Sequence, residues 1–365
     1  MEKWCCTLEI MVKGLETYRG KRVFLTGHSG FKGSWLVKML SMVGAEVMGY
    51  SLEPNTQPNL YSVLGIEDLC HSVFADIRDK DKLTQCIKDF EPDFIFHLAA
   101  QPIVRASYER PVYTFNTNVI GTANVLESVL KMNKPNTNTI IITTDKVYQN
   151  FEKDYAYKED DRLGGYDPYS ASKACAEIVV SSFRSSFFNV SELGKTSNRI
   201  ISVRAGNVIG GGDWAKDRLI PDIARALSKQ EDVIIRNPSA IRPWQHVFEP
   251  LSGYIYVGSL MQMGVLNEGS VNFGPYPQDT LTVKQMAQMA IKIWDSGKLV
   301  FPQLKEQLHE ANLLKLDINK ALNLGWKPHW SAKQALQASL LWYKAYYEGK
   351  EDMIVLSEKQ LQEYE

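Results

Sequence analysis

No run of apolar residues in this 365-residue chain approaches the ~18 that a membrane-spanning helix needs, so an integral membrane protein is not expected. Charge of one sign is also missing. The 41 lysines and arginines balance 42 aspartates and glutamates, leaving a net charge of −1 and no basic face that would predict a nucleic-acid partner. The five cysteines (Cys5, Cys6, Cys70, Cys86 and Cys175) are odd in number and contain no C-x-x-C pair. That pattern predicts free thiols in a reducing cytosol rather than disulfide staples. The six histidines show no metal-ligand spacing, and no metal site is expected. Residues 1–19 read as an N-terminal extension. Its short apolar stretch at Leu8–Val12 lacks the continuous core and cleavage site of a signal peptide, so a cytoplasmic location is expected.

What the chain does have is alternation. Short runs rich in Val, Ile and Phe (Arg22–Thr26, Ala45–Ser51, Ser72–Ala75, Phe94–Leu98, Thr139–Thr143 and Ile200–Arg204) are separated by helical or turn sequence, including a helix over Trp35–Val43. This predicts an α/β fold with a doubly wound, Rossmann-like parallel sheet, whose ligands bind beyond the carboxyl ends of the strands. Thr26, His97, Thr144 and Asn207 fall at or just past such ends. After about residue 205, Gly210-Gly211-Gly212 and four prolines punctuate shorter elements. We read residues 20–205 as a dinucleotide-binding domain. Residues 206–350 read as a smaller, mainly substrate-binding lobe with segments returning to the sheet, and 351–365 as a polar surface tail.

Gly27-His-Ser-Gly30-Phe-Lys-Gly33 follows the first strand and opens a helix. Glycines there tighten the turn and bring backbone N–H groups to a pyrophosphate at a helix N-terminus. The residues leave the cofactor open between NAD and NADP. The second strand ends in Gly49-Tyr50-Ser51, without the acid that favours NAD, while His28 and Lys32 are basic groups that would suit a 2′-phosphate. Tyr169 and Lys173, four apart, share a helix face. An ammonium beside the phenol would favour the phenolate and make Tyr169 a base for a sugar hydroxyl.

Together the motifs Thr26-Gly-x-x-Gly-Phe-x-Gly33, Asp76-Ile-Arg-Asp79, His97-Leu-Ala-Ala-Gln101, Asn118-Val-x-Gly-Thr122, Tyr169-x-x-x-Lys173, Arg204-Ala-Gly-Asn207 and Leu324-Gly-Trp-Lys-Pro328 resemble the extended short-chain dehydrogenase/reductase family, over residues 20 to 345 or so. Within it, Thr144-Asp-Lys-Val-Tyr148, Gly206-Asn-Val-Ile-Gly-Gly-Gly-Asp-Trp214, Arg218-Leu-Ile-Pro-Asp222 and Arg242-Pro-Trp-Gln-His246 look like the sugar-nucleotide 4,6-dehydratases acting on CDP-glucose. The resemblance implies NAD as cofactor and CDP-glucose as substrate. It assigns the cofactor to Thr26, Gly27, Ser29, Gly30, Phe31, Lys32, Gly33, Asp76, Ile77, Ala99, Ala100, Gln101, Asn118, Tyr169 and Lys173. It assigns the substrate to Asn207, Arg204, Arg218 and Arg242, whose guanidinium groups suit a diphosphate. It also implies a homodimer or homotetramer through a four-helix contact made by Tyr108–Lys131 and Tyr169–Asn189.

The implied chemistry oxidises C4, eliminates water across C5 and C6, and returns hydride to C6. Tyr169 would take the C4 hydroxyl proton, with Thr144 bonding the C4 oxygen and Lys173 the nicotinamide ribose. Asp145 would protonate the departing C6 hydroxyl. Lys146 stands where related dehydratases carry an acid. It would act either as a neutral base at C5 or as a charged stabiliser of the enolate. Alternatives are dehydratases of GDP-mannose or dTDP-glucose, a C4 epimerase, or a catalytically silent dinucleotide-binding scaffold. Asp145 separates dehydratase from epimerase, since epimerisation needs no acid at C6.

Overall fold

Seven parallel strands form the central sheet of the computed structural model, which describes residues 14–132, 134–189, 198–302 and 314–364. They are β1 (Arg22–Thr26), β2 (Glu46–Ser51), β3 (His71–Phe74), β4 (Phe94–His97), β5 (Asn138–Ile142), β6 (Arg199–Ala205) and β7 (Ser270–Phe273). Their order across the sheet is β7-β6-β5-β4-β1-β2-β3. The order reverses between β1 and β4, where Thr26 pairs with His97, and this switch point opens the ligand crevice. Alternate strand residues serve two cores. Val23, Leu25, Phe94, Phe96, Ile140 and Ile201 face one cluster, while Phe24, Ile95, Ile141 and Ile200 face the other. A strand buried on both faces must be apolar at every position, which is why these runs are continuous rather than alternating.

Among the described residues, nine longer helices complete the frame: α1 (Phe31–Met42), α2 (Lys80–Phe90), α3 (Gly121–Leu130), α4 (Pro168–Phe187), α5 (Leu219–Ser228), α6 (Phe248–Gln262), α7 (Val283–Trp294), α8 (Ala332–Glu348) and α9 (Met353–Tyr364), besides shorter helical segments. α4 starts where its sequence dictates. The Asp167 carboxylate accepts from Ser170 N at 2.9 Å and Pro168 occupies the first turn, which sets Tyr169 beside the end of β5. None of the helices among the described residues is long and apolar enough to cross a membrane.

Three expectations are corrected. The single helix expected over Tyr108–Lys131 breaks at Arg110, ahead of Pro111, and carries a π turn at Asn116–Ile120 before α3. The N-terminal extension joins the core from residue 14 onward. Leu15 and Tyr18 are buried, and the Tyr18 hydroxyl donates to Ile255 O at 3.0 Å. Cys5, Cys6 and Leu8–Val12 lie outside the described residues. The supposed polar tail is helix α9, with Ser357, Gln360, Leu361 and Tyr364 buried at helical spacing. Two of those four are polar and bond inward: Trp342 Nε1 donates to Ser357 Oγ at 2.8 Å and Gln360 Nε2 to Ala338 O at 3.0 Å. Polarity therefore misread a docked face as a solvated one.

Candidate active site

The glycine loop bends between β1 and α1 with almost no room to spare. Gly27 has φ +81°, and a Cβ there would stand 2.8 Å from Ala99 N; one on Gly33 would stand 2.0 Å from Gly27 O. A Cβ on Gly30 would meet only Gly27 O, at 3.4 Å. Side chains are thus excluded where the turn closes on itself, and the first turn of α1 presents the backbone amides that a dinucleotide phosphate requires.

The two basic groups of this loop do not form the 2′-phosphate site considered from sequence. His28 is fully buried, with its ring nitrogens 3.0 Å from Ser51 Oγ and 3.0 Å from Ser72 Oγ, and burial pushes it down to about 4. It is a neutral packing residue. Lys32 points to the Tyr254 hydroxyl (3.4 Å), and burial, reinforced by the neighbouring Arg218 charge, pushes it down to about 7. It therefore lies within the field of Asp145, Lys146 and Lys173. Ser29 Oγ donates to Leu52 O (2.7 Å) and accepts from Ser51 Oγ (2.8 Å), tying the loop to the end of β2.

Several residues assigned to the cofactor are positioning groups. Thr26 Oγ1 lies 2.8 Å from His97 Nδ1 and accepts from Ala99 N at 3.2 Å. His97 Nε2 lies 3.1 Å from Thr122 Oγ1, which donates to Asn118 O at 2.7 Å. Asn118 accepts from Gln101 N at 2.8 Å and donates to Ser172 Oγ at 2.8 Å. This buried chain runs from β1 to the residue before Lys173. These bonds engage the Thr26 hydroxyl and the Asn118 amide within the fold. Gln101 is likewise tied back, donating to Thr114 Oγ1 at 2.9 Å and accepting from Ile103 N at 2.6 Å. Ala99 and Ala100 line the half-buried turn past β4. Asp76 is chelated by Arg78 (2.6 and 2.9 Å), while Ile77 presses its side chain on Gly121 and can offer a ligand only its main chain.

Thr144, Asp145, Lys146 and Tyr169 converge past the end of β5. Thr144 Oγ1 donates to Asp145 Oδ1 (2.9 Å), and Lys146 Nζ donates to the same oxygen (3.2 Å) and to Asn207 Oδ1 (3.2 Å). Among the described residues no hydrogen bond reaches Asp145 Oδ2. Tyr169 is held above the ordinary tyrosine range by burial, against the opposing pull of the Lys146 charge and a Thr144 hydrogen bond. Lys146 is thus the foremost cation acting on Tyr169, with Arg218 behind it, where the i, i+4 spacing pointed to Lys173. Lys173 Nζ donates to Ile142 O at 2.9 Å, and burial pushes it down to about 8 while Glu177 resists. Burial is the strongest single influence and works against charge on Lys146, but Asp145 and Tyr169 together outweigh it and keep Lys146 above the ordinary lysine range. That direction favours the ammonium form of Lys146 over the neutral base considered from sequence.

Of the three arginines assigned to substrate, two face the site. Arg218 is held by Asp213 (2.9 Å) within the field of Tyr169 and Lys32, and Arg242 acts on Lys146. Arg204 does not. It is buried in a two-pronged pair with Glu177 (2.9 and 3.0 Å) and donates also to the Tyr148 hydroxyl and Glu159 O, both at 2.8 Å. Four of its five N–H donors are spent inside the fold, so it is a structural ion pair. Glu177, which also accepts from Thr143 Oγ1 (2.5 Å) and Ser202 Oγ (2.7 Å), escaped notice in the sequence. Its place four residues after Lys173, on the same helix face as Tyr169, was the available signal. No cluster of metal-ligating side chains occurs among the described residues.

The sequence matches the GDP-mannose 4,6 dehydratase family model over residues 24–338. It is similar to CDP-glucose 4,6-dehydratase of Salmonella typhimurium, 47% identical over 350 residues that cover 95% of this chain and 97% of the relative. CDP-paratose 2-epimerase of Salmonella typhi is 26% identical, covering 88% and 98%. Among solved structures, dTDP-glucose 4,6-dehydratase of Bacillus anthracis in complex with NAD shares the fold, with a TM-score of 0.73 and 22% identity over 92% of this chain and 99% of that one. UDP-glucose 4-epimerase of Thermotoga maritima, with UDP-glucose, does so at 0.73 and 20% identity, over 89% and 99%.

Proposed function

The chain belongs to the GDP-mannose 4,6 dehydratase family, and from that membership we propose that it is a CDP-glucose 4,6-dehydratase. This NAD-dependent hydro-lyase converts CDP-D-glucose to CDP-4-dehydro-6-deoxy-D-glucose and water, a step towards deoxysugars for surface polysaccharide. The observation that carries the reading is the Asp145–Lys146 pair beside Tyr169, with one carboxylate oxygen free. An epimerase has no use for that acid. The glycine cradle fits NAD: backbone amides open at α1, while His28, neutral and enclosed, offers nothing to a 2′-phosphate. When bound, NAD accepts hydride from C4 and returns it to C6.

The protein's own groups handle the protons. Tyr169 takes the C4 hydroxyl proton, with Thr144 at its side and Lys146 favouring the phenolate. Asp145 and Lys146 begin as an ion pair. A sugar covering them removes water, and in a dry site a neutral pair costs less than two charges, so a proton passes from Lys146 Nζ to Asp145. That transfer creates at once the acid needed at the C6 oxygen and the amine needed at the C5 hydrogen. Asp145 then gives its proton to the departing hydroxyl and Lys146 takes the C5 proton, which restores the original pair. Arg218, Arg242 and Asn207 face the nucleotide-sugar side, supplied mainly by residues 206–350. Exposed apolar residues on the helices expected to dimerise, Val112 (71% exposed), Ile120 (50%) and Ile178 (58%), support a homodimer or homotetramer in the cytosol.

Incubation with NAD and a panel of nucleotide sugars tests the assignment. CDP-glucose should lose one water without accumulating NADH, and deuterium placed at C4 should emerge at C6. Label lost to solvent, or a different preferred sugar nucleotide, would overturn it. Asp145→Asn should show a burst of NADH absorbance without dehydrated product.

A further inference from the structure

Beside the catalytic carboxylate is a small cavity of about 50 Å³, walled by Gly206, Pro243, Gln245, Tyr276 and Thr280 among others. Gln245 is 0% exposed, and neither its Oε1 nor its Nε2 has a hydrogen-bond partner among the described residues. A buried amide left without partners costs about 1–3 kcal/mol, so its retention at the wall of this pocket points to a polar ligand atom. The cavity meets the active site at Gly206. A Cβ on that glycine would stand 3.0 Å from Asp145 Oδ2 and 3.3 Å from Pro243 Cγ, so the missing side chain leaves the only free carboxylate oxygen open toward the cavity wall. The volume exceeds the roughly 10–15 Å³ that admits one water and so accommodates a group the size of CH₂OH.

We propose that this cavity is the subsite for the C6 hydroxymethyl group of the hexose, and that the Gln245 amide receives its oxygen opposite Asp145. Gln245 is then a specificity-determining residue that holds the leaving group in line with its proton donor. The β-bridge pairing of Gln245 with Val208 fixes the amide relative to the Gly206–Asn207 turn, so the subsite is built into the scaffold and needs no moving loop.

The inference rests on the reading of the protein as a CDP-glucose 4,6-dehydratase, and the test separates the two. Calorimetric titration without added NAD compares CDP-glucose with its 6-deoxy analogue, which lacks only the oxygen in question. The unaltered protein should bind CDP-glucose about tenfold more tightly, the worth of a buried hydrogen bond of about 1.4 kcal/mol. Gln245→Met, of similar volume, should bring the ratio close to one. Gln245→Asn, which keeps the amide but withdraws it by one carbon, should do the same. With NAD added, both variants should still oxidise C4 while forming dehydrated product more slowly, so that NADH absorbance now rises transiently. Equal binding of the two sugars by the unaltered protein, or an unchanged ratio in either variant, would overturn the subsite. Failure to bind either sugar would overturn the underlying reading and the subsite with it.

Discussion

At the scale of single residues, charge pairing separates the arginines that remain available for a ligand from the one that does not. Glu177 and Arg204 are both buried and neutralise each other, with Thr143, Ser202 and Tyr148 filling the remaining hydrogen-bond positions. Breaking such a pair from one side strands a charge. Glu177→Gln should therefore cost about 3–5 kcal/mol of stability, read from denaturant midpoints. Arg218→Ala should instead raise the half-saturating concentration of the nucleotide sugar with little change in the midpoint, because Arg218 is partly exposed and held only by Asp213. Tyr169→Phe removes the base while leaving the helix intact, and turnover should fall by about 10²–10⁴ with an unchanged unfolding curve. The Tyr169–Lys173 spacing was legible in the chain. The identity of the foremost cation that acts on Tyr169 was not, because Lys146 approaches it from the end of another strand.

Among the elements, α9 shows how a segment with little intrinsic signal becomes part of the core. Its Tyr364 hydroxyl donates to Glu249 Oε2 at 2.9 Å, and Glu249 also accepts from the backbone of His329 and Trp330. Midway along the helix, Glu358 meets Lys38 of α1 at 2.6 Å. The helix thus clamps α1, α6 and α8 around the lobe that faces the active site. Deleting residues 353–365 should lower the thermal midpoint by well over 5 °C and slow turnover through the loosened lobe. Tyr364→Phe should cost about 1–3 kcal/mol by removing one donor from a buried carboxylate. A deletion variant with the unaltered midpoint would return this segment to the surface-tail reading.

For the molecule as a whole, buried neutral histidines set the acid side of stability. His28, His97 and His246 are pushed by burial to about 4, 3 and 3. Their folded values lie below the unfolded value of about 6.5, so their contribution is present above pH 6.5 and is lost as pH falls through the folded values. Glu249 behaves oppositely. Burial raises it to about 7, so its contribution is full below the unfolded value of about 4.5 and is lost as pH rises through 7. Near pH 5.5, unfolding should take up roughly three protons on the histidines and release about one from Glu249, a net uptake of about two from these four groups. The dependence of calorimetric enthalpy on buffer ionisation measures that number, and a net release would refute the assignment of the histidines as neutral.

Local features of the chain were sufficient for the doubly wound sheet, its six leading strands, the glycine loop and the Thr144–Lys146 and Tyr169–Lys173 groups. Strand runs, turn glycines and helix spacing depend on neighbours a few residues away. Tertiary structure alone decided that Arg204 is consumed by Glu177, that His28 is a sealed packing residue, that Thr26 and Asn118 are bonded to one another's neighbours inside the fold, and that the buried Gln245 amide has no partner among the described residues. Each of those outcomes turns on burial and pairing between residues tens to hundreds of positions apart, as with Lys38 and Glu358. Whether a polar group is free or already satisfied is a property of the packed chain, because only packing removes the water that would otherwise satisfy it.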